Sequence, residues 1–108
     1  MHMTTKQVDT FWVKIYMSGP IEVAKQIIRQ ETIKGGLCVT IEPTEFIYKG
    51  GEEKGFIVGF INYPRFPVSN EELINQAKGL ADKLLEGTYQ ESYSLINPEN
   101  TEWWSKRV

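Results

Sequence analysis

Four carboxylates lie close together in the middle of the chain: Glu42, Glu45, Glu52 and Glu53. Hard divalent cations take several oxygen ligands, so such a group is a candidate to hold a divalent cation. A cation there would polarise a phosphoryl or ester substrate and activate water. The spacing matches no metal-binding loop, and a solvated charged hairpin accounts for the same residues. Ser18-Gly19-Pro20 and Gly50-Gly51 are candidates to offer backbone N–H groups to an anion, the first beside an expected helix start. Neither stretch carries a complete phosphate-binding glycine pattern, and ordinary turns are the competing reading.

Lys49 and Arg65 are the side chains expected to meet the phosphates of a bound nucleotide, because their charge pairs with phosphate oxygens. Tyr63, Arg65 and Phe66 form a local recognition patch, two aromatics for packing and a guanidinium for an anion. Pro64 and Pro67 equally suit a stiff loop whose aromatics complete the core. Cys38 is the only cysteine, which rules out an intrachain disulfide and a cysteine-rich zinc site. Its apolar, alternating surroundings predict a buried, unreactive thiol. His2 is the only histidine, so a cysteine–histidine catalytic pair is not expected and no nucleophile–base constellation is legible. No catalytic residue and no dedicated metal ligand is assigned.

The elements that would position these residues follow from periodicity. Phe11, Val13, Ile15 and Met17 share one face of a first strand, while Trp12, Lys14 and Tyr16 share the other. Trp12 and Tyr16 are therefore interface candidates. Pro20 suits the first turn of a helix running to Thr32, with Gly35-Gly36 ending it. Leu37–Ile41 reads as the second strand, and Pro43 is expected to weaken or end its pairing. Glu45–Tyr48 resumes an edge segment before a Gly50-Gly51 turn, and Phe56–Ile61 gives the next strand.

Ser69 and Glu72 mark a second helix as a capping box, and its apolar stripe runs from Leu73 to Leu85, with a stop at Gly87. Tyr89–Ile96 returns as a strand before the Asn97-Pro98-Glu99-Asn100 turn. Trp103 and Trp104 then offer two large anchors to a partner, although neighbours on a strand face opposite ways and one of them can fill its own domain. The assembled order is a ferredoxin-like β-α-β-β-α-β sandwich of the α+β class, an antiparallel sheet with two helices on one face.

Leu37-Cys38-Val39-Thr40-Ile41-Glu42-Pro43, then Phe46-Ile47-Tyr48 and a Gly/Glu hairpin, resembles the middle of the CutA family, once linked to divalent-cation tolerance. Ala24 and Trp103-Trp104 are compatible with the same layout. The resemblance implies a ferredoxin-like trimer related in architecture to PII-type signalling proteins, and hence ligand sensing. The chain departs from the family in having Gly87-Thr88-Tyr89-Gln90-Glu91-Ser92 where a late histidine-containing segment would stand.

With 108 residues, 41% of them hydrophobic, the chain has material for one core. One ferredoxin-like domain is expected over 8–108, preceded by a flexible segment 1–7 whose Met1-His2 reads as a cloning remnant. Twelve Lys or Arg against fourteen Asp or Glu give a net charge of −2, which speaks against backbone-driven nucleic-acid binding. No run is long enough to span a bilayer and no signal-like leader is legible, so a cytoplasmic protein is expected. The leading expectation is a small non-enzymatic homo-oligomer that senses an anionic small molecule or binds a protein. The alternatives are a nucleotide-binding protein with its site between subunits and a metal-assisted hydrolase.

Overall fold

The computed structural model describes residues 2–107; Met1 and Val108, the outer ends of the two expected segments, lie outside the described residues. Strand β1 (Trp12–Ser18) alternates as its sequence requires, with Val13, Ile15 and Met17 buried and Trp12 and Tyr16 half-buried on the other face. Helix α1 (Ile21–Gly35) stops at Gly36, whose φ of 67° lies in the left-handed region that glycine enters without a Cβ clash. The Gly36 N–H returns to the Thr32 carbonyl at 2.9 Å.

Strands β2 (Thr40–Tyr48) and β3 (Gly51–Ile61) form a long hairpin, turned at Gly50 with φ 87°. Two expectations are corrected here. Pro43 does not weaken or end the pairing: it sits opposite Phe56 in an unbroken ladder. β2 is an edge strand, where one side has no neighbour and a missing N–H need cost no ladder bond. The second correction concerns Cys38, which is exposed rather than buried. The strand starts only at Thr40, so the irregular segment after Gly36 carries the thiol outward.

Helix α2 (Asn70–Gly87) begins as its capping residue dictates, the Ser69 hydroxyl accepting the Glu72 N–H at 3.1 Å. Strands β4 (Ser92–Ile96) and β5 (Thr101–Ser105) are joined by a turn in which the Asn97 side-chain oxygen accepts the N–H groups of Glu99 and Asn100, at 2.8 and 3.1 Å. The sheet order is β2-β3-β1-β4-β5 with every neighbour antiparallel. The first four strands carry the expected ferredoxin-like arrangement, and β5 extends it as an added edge. Ile15, Met17, Phe56, Val58, Phe60 and Leu95 from the sheet meet Ala24, Ile28, Leu80 and Leu84 from the helices in one core. No helix among the described residues is long and apolar enough to cross a membrane.

Candidate functional site

β1 is shorter than the hairpin beside it. Its last pair with β3 is Ser18 opposite Gly55, after which β2 and β3 continue alone through Glu45–Lys54, Phe46–Glu53, Ile47–Glu52 and Tyr48–Gly51. The result is a two-stranded arm reaching past the end of β1. Between its base and the N-terminus of α1 lies an open cleft of about 690 Å³, within the range of small-molecule sites.

Pro20 and Ile21 form one wall of this cleft, and Pro43, Glu45 and Lys54 the other. The Gly19 N–H donates to the Lys54 carbonyl at 3.0 Å and ties the turn to the arm. Pro20 stands at the N-cap of α1 and supplies no side-chain cap, so the first-turn amides lack the acceptor that Ser69 gives to α2. This end of the helix carries partial positive charge, reinforced by Lys54 on the facing strand. Glu22 is occupied by Lys25 at 3.1 Å, whereas Glu45 has no ion-pair partner among the described residues. The cleft thus combines apolar walls with an adjacent acidic and basic side chain, Glu45 and Lys54, which sit opposite each other in the β2–β3 ladder.

The four carboxylates do not converge. Glu45, Glu52 and Glu53 line a small hollow on the arm, while Glu42 lies on the other face of β2, three residues from Glu45. Glu53 accepts the Ser18 hydroxyl at 2.8 Å. No group of three His, Cys, Asp or Glu side chains that could hold a metal occurs among the described residues.

Tyr63, Arg65 and Phe66 share the loop between β3 and α2, and Lys49 lies at the opposite end of β3, on the turn of the arm. An eleven-residue strand separates them by about 33 Å, so Lys49 and Arg65 do not meet around one phosphate group. The Cys38 thiol, as a hydrogen-bonding neighbour, and partial burial raise the Tyr63 phenol above its usual pKa. Trp12, Tyr16 and Trp103 share the sheet face turned away from the helices, and Trp103 is 66% exposed. Trp104 is not on that face. It pairs opposite Tyr93 and packs against α2, with the Lys78 ammonium 3.7 Å from its ring centroid.

The cleft residues Pro20, Pro43, Glu45 and Lys54 come from three separate elements and carry no joint motif. The one local signal was the helix start at Pro20 after Ser18-Gly19, which offers no side-chain cap; the excess length of the β2–β3 hairpin over β1 is set by strand pairing.

No family model matches this sequence, and no curated protein matches it. Among solved structures, the fold is similar to a phage SAM lyase in complex with S-methyl-5′-thioadenosine, with a TM-score of 0.74 at 14% identity over 97% of this chain and 96% of that chain. It is also similar to a phage SAM lyase in its apo state, with a TM-score of 0.71 at 14% identity over 99% of this chain and 98% of that one. At that identity the likeness is one of fold. The leading functional expectation is corrected: both of these neighbours are SAM lyase, an enzyme, which points against a non-enzymatic sensing or interaction protein as the main reading. The CutA resemblance rests on Cys38–Gly51, and what it shares with these findings is the small α+β architecture.

Proposed function

We propose that the chain binds S-adenosylmethionine in the cleft between α1 and the arm and breaks a carbon–sulfur bond of it, leaving S-methyl-5′-thioadenosine. The observation that carries this reading is the end-to-end likeness in fold to a SAM lyase holding that thionucleoside. The cleft supports it through its volume and its mix of apolar walls with charged groups of both signs.

The chemistry asks little of the protein. The electron pair of the breaking bond goes to sulfur and turns a sulfonium cation into a neutral thioether. A reaction that disperses charge in this way gains from exchanging water for an apolar surface, here Pro20, Ile21 and Pro43. The carbon released from sulfur takes a pair from the substrate's own carboxylate and closes a ring, so neither water nor a protein base is consumed. A chain without a nucleophile–base pair can therefore act by positioning alone. In this reading Glu45 meets the substrate's ammonium group, and the α1 N-terminus with Lys54 orients its carboxylate.

Association of copies through the sheet face bearing Trp12, Tyr16 and Trp103 belongs to the same proposal, since that face is turned away from the helices and its use leaves the cleft open to substrate. The exposed, free Cys38 suits a reducing, cytoplasmic compartment.

The test is to incubate the purified chain with S-adenosylmethionine and separate the adenosyl products by chromatography. S-methyl-5′-thioadenosine should accumulate in proportion to protein and time, and Glu45→Gln should lower kcat/KM by about tenfold or more. Unchanged substrate together with calorimetric binding of the thionucleoside would reduce the proposal to a binding protein. Unchanged substrate without binding would remove it.

A further inference from the structure

A second surface lies at the other end of α1 from the cleft, about 22 Å away along a fifteen-residue helix. Tyr63-Pro64-Arg65-Phe66 is a turn closed by the Phe66 N–H on the Tyr63 carbonyl at 2.9 Å, with Pro64 at the position where its fixed φ fits. Asn62 fastens the loop at both ends: its N–H donates to the Phe11 carbonyl at 3.1 Å, and its side-chain oxygen accepts the Val68 N–H at 3.0 Å. This held loop displays Phe66, 70% exposed, with the Arg65 guanidinium 5.4 Å from the ring centroid.

Beside Phe66 is a hollow of about 240 Å³ whose apolar lining includes Leu37, Ile61, Val68 and Leu73. That is below the roughly 300 Å³ at which small-molecule sites begin, so it suits one inserted side chain better than a cofactor. An exposed aromatic on a fastened loop, next to a hollow with an apolar floor and Tyr63 and Gln76 at its lining, is the form of an interface hot spot, and the loop's fastening lowers the ordering cost of binding.

Charge selects the occupant. Arg65 makes no ion pair among the described residues. Lys6 lies beside it in a shallow depression with Pro64. The hollow also shares Gly35, Leu37 and Gln76 with a groove between α1 and α2 that is edged by Lys34 and Lys83. The carboxylate lining that groove, Glu31, is already held by Lys83 and by Lys34 at 3.8 Å. With Lys34 and Lys83 engaged by Glu31, the cations left without an ion pair beside the hollow, among the described residues, are Arg65 and Lys6.

We propose that this surface docks an extended segment of a partner protein in which one apolar side chain is flanked by acidic residues. The apolar anchor fills the hollow, and the acids meet Arg65 and Lys6. The surface is separate from the cleft and does not depend on the reaction there.

The probe is a blocked pentapeptide with one phenylalanine between paired acidic residues, titrated into the full ¹⁵N-labelled chain. Saturable amide shifts should be confined to residues 35–38, 60–68 and 73–76 and to the neighbourhood of Lys6. A version with alanine for phenylalanine, one with lysines for the acids, and the Arg65→Ala protein should each bind about tenfold more weakly. The proposal is overturned by an absence of shifts at millimolar peptide, or by equal binding of the lysine version. It is also overturned if glutamate alone gives the same shifts, which would mark a small-anion site, or if concentrating the protein alone does, which would make a second copy the occupant.

Discussion

Replacing Tyr93 by phenylalanine removes one oxygen from the interior and leaves the ring in place. Tyr93 is 2% exposed; its hydroxyl donates to the Asp82 carboxylate at 2.8 Å and accepts from the Lys78 ammonium at 3.1 Å. The Asp82 side chain is 56% exposed, so water takes over when the phenol is gone. The loss is two charge-assisted hydrogen bonds, discounted for solvent and for the Lys78–Asp82 pair that stays, about 1–2 kcal/mol near pH 7. For a domain of this size each kcal/mol lowers Tm by about 4–8 °C.

The same residue sets the pH dependence of that loss. Burial first, then the hydrogen bond to Asp82 and its charge, push the Tyr93 phenol well above its ordinary value of 10.0. A raised folded pKa gives stability that is complete below the unfolded value and lost as pH climbs from there toward the folded value. At pH 11 the unfolded phenol is about ten to one ionised while the folded one keeps its proton, a change of about 1.4 kcal/mol against the fold. The advantage of the parent protein over Tyr93→Phe should therefore shrink from about 1–2 kcal/mol at pH 8 to near zero at pH 11. Urea unfolding of both proteins between pH 7 and 11 measures it, and the difference cancels the groups that do not touch Tyr93. A difference that stays constant with pH, or is absent at pH 7, would refute the reasoning.

A Cβ at Gly55 would overlap the Met17 carbonyl oxygen and come within 2.7 Å of the Phe46 ring, so Gly55→Ala must move backbone. It should lower stability by about 1–3 kcal/mol, read as a reduced urea midpoint. Gly79 has nothing within 4 Å of such a Cβ and sits inside α2, so Gly79→Ala should stabilise by up to about 1 kcal/mol in the same assay. Ser69→Ala removes the acceptor of the Glu72 N–H and should cost about 1 kcal/mol, with rescue by Ser69→Asp.

The elements were legible wherever local chemistry settles them. Alternation in β1, the Ser69 cap and the left-handed stop at Gly36 each depend on a few neighbouring residues, and each stands in the structure. The misread places are those where position in the sheet outweighs local preference. Pro43 is tolerated because β2 is an edge, a property of the strand order and not of the residues around the proline. Cys38 is exposed because its segment never enters the ladder, although its pattern of side chains alternates like a strand.

The candidate site was less legible for the same reason. The recognition patch of Tyr63, Arg65 and Phe66 is contiguous in the chain and stays together, whereas Pro20, Pro43 and Lys54 meet only because β1 ends opposite Gly55 and leaves the arm unaccompanied. For Trp103 and Trp104, alternation required opposite faces, but which face belongs to α2 follows from the register of β5 on β4. By itself the sequence determined the helices, most of the strands and one α+β core, since periodicity and capping act over a few residues. The cleft, the arm and the splitting of the tryptophans were decided by tertiary structure, because they depend on relative strand lengths and on pairings between residues far apart in the chain.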